Sequence, residues 1–224
     1  MKRTFLALAV ATAAFGAQAS TVSFQYGLPI IESTTEIDKT GVLGKFDGSL
    51  GTLTGISLEI FGAATTNISL TNTAVTATTG RATASVDVLW DSSLAALGAL
   101  LVDDLALTFT TGAALAYAPG QTRTFGPLTD SDSFTYDLSS IAGALTGLGT
   151  FDLNCKSLSG INIIGGGGNI VSTQSTTAGC GARIVYTFNA APPPPPAVPE
   201  PGSLALVGLA LLTAGGLSAF RRKA

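Results

Sequence analysis

Few side chains in this chain are equipped for chemistry. It has no histidine, which removes the commonest general base and, with it, Ser-His-Asp and Cys-His catalysis. Glycoside hydrolysis needs only two carboxylates, and between residues 20 and 197 stand three glutamates, Glu32, Glu36 and Glu59, with ten aspartates. Glu59 lies on the polar face of a predicted strand, but no aromatic platform flanks it and a site needs more than one such feature. A solvated Glu59 is the expectation. Thr129-Asp130-Ser131-Asp132-Ser133 places two carboxylates two residues apart, with Asp137 beyond, as loops for hard cations often do. A dedicated calcium loop adds more acids and a glycine turn, so a solvated turn before a strand at Phe134 is the preferred reading, with Asp130, Asp132 and Asp137 kept as candidate ligands. Asp103-Asp104 is weaker, and Gly165 to Gly168 lack the spacing and lysine of a phosphate loop. Cys155 and Cys180 are the only cysteines and form no C-x-x-C pair, so the usual zinc and copper ligand sets are missing. These residues point to a protein that is not an enzyme and uses no cofactor.

The elements that would position such groups are mostly strands. Ile56, Leu58 and Ile60 alternate with Ser57 and Glu59, and Ala84, Val86, Val88 and Trp90 alternate with Ser85, Asp87 and Leu89. Leu105, Leu107 and Phe109, then Phe134, Tyr136 and Leu138, then Ile184, Tyr186 and Phe188 repeat the period of two, which puts each set on one strand face. Pro119-Gly120 and Gly126-Pro127 read as turns, Thr71 to Thr79 as exposed sheet face, and Asp47-Gly48 as a turn before a strand. Leu94, Leu97 and Leu101 behind Asp91-Ser92-Ser93, and Ile141, Leu145 and Leu148 behind Ser139-Ser140, have helical spacing after N-cap residues. The fold class expected is mainly β: an antiparallel sandwich or jelly roll of many short strands, with one or two short helices.

Both ends read as addresses. Lys2 and Arg3, the apolar Thr4 to Ala14 and the small residues of Ala17-Gln18-Ala19 make residues 1–19 a signal peptide, with Ser20 as the mature start. At the other end, Val198-Pro199-Glu200-Pro201 precedes an apolar run from Ser203 to Phe220, then Arg221, Arg222 and Lys223. As a helix the run reaches about 27 Å, close to the ~30 Å hydrocarbon core, and the basic residues beyond it would stay on the cytoplasmic side. Residues 20–190 would then form the exported domain, and 191–198 a proline-rich linker, with Pro192 to Pro196 a stiff spacer of about 15 Å. The targeting ends hold five of the 11 basic residues and one of the 14 acids, so the exported part has a net charge of −7. Nucleic acid is excluded as a partner, because phosphate contacts demand clustered Lys and Arg. An even pair of cysteines in an oxidising compartment favours a Cys155–Cys180 disulfide.

This tail resembles the PEP-CTERM sorting signal, with Pro199, Glu200 and Pro201 as its motif and Arg221 and Arg222 as its basic end. The resemblance implies recognition by an exosortase-type membrane protease, cleavage near the motif, and delivery from the inner membrane to the cell surface or an extracellular polysaccharide matrix. Phe46-Asp47-Gly48-Ser49-Leu50-Gly51-Thr52-Leu53-Thr54-Gly55-Ile56 resembles the opening strand of the choice-of-anchor E domain, a resemblance that carries no activity or site residue over to this chain. The function expected is that of an exported structural or interaction protein, with residues 199–224 as its sorting signal. Two alternatives carry their own tests. A carbohydrate-binding module would expose Trp90, which the alternation turns inward instead, and a polysaccharide hydrolase would bring two carboxylates to within about 5 to 9.5 Å in a groove.

Overall fold

A computed structural model describes residues 19–191 of the chain. In chain order its strands are β1 (Ala19–Tyr26), β2 (Ser33–Thr34), β3 (Asp38–Gly44), β4 (Gly51–Asn72), β5 (Thr78–Ser92), β6 (Leu105–Thr110), β7 (Leu115–Tyr117), β8 (Thr122–Asp137), β9 (Thr150–Gly165) and β10 (Ile170–Ala190). Two antiparallel sheets result, one in the order β1-β10-β4-β8 with β2 also on β10, the other β3-β9-β5-β6 with β7 also on β5. They form a β-sandwich. The expected signal peptide, apart from Ala19, lies outside the described residues, as do Pro192 to Pro196 and the apolar run Ser203 to Phe220. Among the described residues no helix is long and apolar enough to cross a membrane.

The inward sets read from the alternation make the core. Ile56, Leu58, Ile60, Val86, Val88, Leu107, Ile184 and Tyr186 are all buried, while Phe134, on the outermost strand of its sheet, stays 42% exposed. The strands themselves are much longer than the apolar patterns suggest: β4 has 22 residues and β10 has 21. The alternation continues through side chains too small to register as hydrophobic. Gly62, Ala64 and Thr66 take the inward positions of β4, opposite Cys180, Ala178 and Thr176 of β10. The facing sheet fills the space, since a Cβ on Gly62 would meet Val88 Cγ2 at 3.2 Å and Leu105 Cδ1 at 3.4 Å. Large side chains from one layer rest on small ones of the other, which is how a sandwich reaches native packing density.

Local chemistry corrects several expected boundaries. Gly126-Pro127 is no turn but part of β8, where Phe125 pairs with Ile68 and Leu128 with Thr66, so two residues oppose Asn67 alone. Such a bulge suits an edge strand, because proline has no N–H to give to a ladder and Gly126 takes φ 134°. Thr71 to Thr79 is not continuous sheet either. It ends β4 at Asn72, crosses between the layers, and starts β5 at Thr78. Both helices shrink to one turn, α1 (Ala95–Gly98) and α2 (Ala142–Leu145), and the expected caps do not hold them. Ser92 Oγ accepts from the Leu94 N–H before α1, and Asp137, not Ser139 or Ser140, accepts from Ser139 before the 3₁₀ turn that leads into α2. Leu148 lies past the helix and is 86% exposed.

Candidate functional site

Cys155 of β9 and Cys180 of β10 are bonded, with Cα atoms 6.7 Å apart, and join one sheet to the other through the core. Neither cysteine can serve as a metal ligand or nucleophile in that state. Within their sheets Cys155 lies opposite Trp90 on β5, and Cys180 opposite Gly62 on β4.

The aspartates kept as candidate ligands do not converge. Asp130, Asp132 and Asp137 stand on β8 opposite Ala64, Gly62 and Ser57. Five residues of strand separate Asp137 from Asp132, about 17 Å at roughly 3.3 Å per residue, and the odd spacing turns Asp137 to the other face. Each carboxylate is already engaged locally. Asp130 accepts from the backbone N–H groups of Thr108 and Ser131, both at 2.9 Å, and so ties β8 to β6 across the sandwich edge. Asp132 accepts from the Ser133 N–H at 2.8 Å. Asp137 accepts from both the hydroxyl and the N–H of Ser139, at 2.6 and 2.9 Å, which hold its carboxyl below the usual carboxylate range. No group of three or more metal-ligating side chains gathers among the described residues.

The glutamates are occupied in a similar way. Glu59 pairs with Arg183, directly opposite on β10, at 2.7 Å. The Glu32 carboxylate reaches across from the segment before β2 and accepts from the hydroxyls of Thr65 and Thr177 at 3.2 and 2.6 Å. Glu36 is exposed between β2 and β3. Trp90 is only 6% exposed and meets Tyr26 edge to face at 6.4 Å between ring centroids, so it offers no platform to a sugar. Burial pushes the Tyr26 and Tyr186 hydroxyls up from the ordinary tyrosine range.

Sequence reasoning missed the most fully engaged polar side chain. Asn72 is wholly buried where β4 ends; its Nδ2 donates to the carbonyls of Thr76, Tyr117 and Ala118, and its Oδ1 accepts from the Ala74 N–H. The threonine-rich stretch around it reads as exposed sheet face, and only the approach of the Tyr117-Ala118 segment gives Asn72 an interior role. Asp47 was legible as a turn former, and it caps the 3₁₀ turn Gly48–Leu50 by accepting from the Ser49 N–H at 2.9 Å. That backbone donor holds its carboxyl below the usual range. On the second sheet a shallow depression is lined by Thr83, Ser85, Thr108, Thr110 and Asn162 together with the apolar Ala84, Phe109 and Ile161, with Gly160 leaving a notch beside Ser85. It holds no titratable group.

Pro199, Glu200, Pro201, Arg221 and Arg222 lie outside the described residues, so their standing rests on sequence. Residues 197–223 match the PEP-CTERM protein-sorting motif. That match indicates an exported surface protein sorted by an exosortase, secreted through a transient stay at the membrane. No curated protein matches the chain. Among solved structures it is similar to one from the Gx strain of infectious bursal disease virus, at 12% identity over 78% of this chain and 35% of that one, with a TM-score of 0.18. A structure from the Gt strain is similar at 11% identity over 89% of this chain and 49% of that one, with a TM-score of 0.17. The chain thus spans only about a third to a half of those proteins. At such TM-scores neither likeness bears on fold or function.

Proposed function

We propose that this is a non-enzymatic surface protein whose β-sandwich acts as a structural or interaction module in the cell envelope or its polysaccharide matrix, after an exosortase cleaves the tail near Pro199-Glu200-Pro201. The observation that carries the reading is the sorting motif over residues 197–223. Physical chemistry agrees with a cleavable handle: each proline lacks a backbone donor and pushes the preceding residue out of the helical region, so the motif presents extended, accessible chain before the apolar run. The polar inventory of the sandwich supports a role without catalysis. Glu59 and Glu32 are bound to structural partners, and Asp130 and Asp132, neighbours on one face of β8, each accept from backbone N–H groups while Asp137 stands on the other face. The likeness of Phe46 to Ile56 to a choice-of-anchor E domain belongs to the same proposal; Phe46 anchors that segment in the core at 1% exposure.

The test changes the motif and nothing else. Glu200→Ala or Pro199→Ala leaves the apolar length and the Arg221-Arg222 orientation signal intact. Native protein should lose residues beyond the motif and leave the inner membrane, while both variants should keep Arg222 and remain there. Membrane fractionation with C-terminal mass spectrometry reads the difference. A native chain that keeps Arg222 and fractionates like the variants would leave only a single-pass anchor.

A further inference from the structure

β9 has an open side. β3 covers it only from Thr150 to Lys156, whereas β9 stays paired with β5 as far as Gly165. The Ser157 N–H donates to the Ile37 carbonyl and the Thr35 hydroxyl lies 3.5 Å from that of Ser159, but beyond Ser157 no described strand lies against Leu158 to Ile164 on the side away from β5. Alternate residues of an antiparallel strand send both backbone groups to the same side. Ser159, Ile161 and Ile163 share the parity of Ser157, so their N–H and C=O groups face the opening. Exposed edges are normally guarded by a charge, a proline, a bulge or brevity. This one has no guard: the chain carries no charged residue between Lys156 and Arg183, and β9 has neither proline nor register shift here. Leu158, Ile161 and Ile164 are 50%, 36% and 40% exposed.

We propose that this edge is a self-association surface, on which the Leu158 to Ile164 segment of a second copy adds antiparallel to the same segment about a two-fold axis at Ile161. The register follows from the parity. Ile161 faces the opening and can form a hydrogen-bonded pair with its own copy, which places Ser159 opposite Ile163 and makes six N–H···O bonds in all. The even residues then make the closer, non-hydrogen-bonded pairs, bringing Leu158 against Ile164 and Gly160 against Asn162 on the outer face. No like charges meet, because Lys156 would face Gly166. The ladder ends at Leu158 against Ile164: Gly165 of the incoming copy would face Ser157, whose N–H is taken by Ile37, and the chain leaves the sheet there through the glycine turn Gly166–Gly168. A foreign strand would gain the backbone bonds but not this matched set of side chains.

The experiment uses the full-length chain, purified in mild detergent from a host without an exosortase so that the tail is retained, and reads its mass by sedimentation equilibrium. The native chain should be a dimer. Ile161→Lys sets two ammonium groups against each other on the axis and should weaken self-association by about 100-fold or more, as should Ile164→Lys, since like charges opposite one another oppose pairing. Val42→Lys, at an exposed site on β3, should leave the dimer intact. A monomeric native chain overturns the proposal, and so does a dimer that survives both lysines or disappears only when Ser203 to Phe220 is deleted. Should the lysine variants lose their melting transition, amide exchange of the native chain decides: slow exchange at Ser159, Ile161 and Ile163 supports pairing, and fast exchange overturns it.

Discussion

Asn72 has no exposed surface, and its side chain gathers three carbonyls and one N–H from the two connections at one end of the sandwich. Buried polar groups are costly when left without partners, so the worth of Asn72 lies in the groups it satisfies. Asn72→Ala should lower unfolding free energy by about 2 to 4 kcal/mol, read from the urea midpoint at unchanged slope. Asn72→Asp should be worse still, because it aims a carboxylate at three carbonyl oxygens. An Asp variant as stable as the native protein would show that the amide does not hold these loops. Gly41 makes a complementary point about space. A Cβ there would fall about 2.0 Å from the Tyr26 ring, so this ring closes over β3 only because the position has no side chain.

Strands of this length are held by registration along their whole course. β4 and β10 pair from Gly51 with Ala190 to Asn72 with Ile170, with a single irregularity at Thr187/Phe188, and the Cys155–Cys180 bond ties that ladder to the opposite sheet. A cross-link closing 25 residues removes unfolded-state entropy worth roughly 3 kcal/mol in the chain-entropy model. The double variant Cys155→Ala, Cys180→Ala should therefore melt about 6 to 12 °C lower and show a steeper urea dependence, since its unfolded chain is less compact. Equal midpoints, with non-reducing peptide maps showing the native pair linked, would mean that the bond adds nothing to stability.

At the scale of the molecule the sandwich is self-contained. Ala191, first residue of the expected linker, still donates its N–H to the Leu50 carbonyl, so the folded unit reaches one residue past the expected boundary. Residues 20–191 should fold without metal, because both sheets share one core, Asp130 and Asp132 already accept backbone N–H groups, and Asp137 lies on the other face of β8. Thermal unfolding in chelator and in millimolar calcium should agree to within about 1 °C. A large calcium-dependent rise would instead mean that Asp130 and Asp132 hold the ion in the native state.

What the sequence determined by itself is what depends on local order. A sorting handle works as extended chain beside an apolar run and basic residues, so Pro199, Glu200, Pro201, Arg221 and Arg222 are legible without any fold. Which residues face inward is nearly as local, because a period of two assigns each side chain to a face; Ile56, Val86, Leu107 and Ile184 could be placed before any partner was known. The tertiary structure decided what alternation cannot encode. A strand's pattern names its faces but not its neighbours, so the sheet order, the bulge at Gly126-Pro127 and the carboxylate partners of Arg183, Thr65 and Thr177 emerge only when distant segments meet. Strand length escaped for the same reason, since Gly62, Ala64 and Thr66 count as core positions only beneath the large side chains of the opposite sheet. The open side of β9 is the furthest from sequence of all. An edge is defined by the strand that stops short beside it, and β3 stops at Lys156.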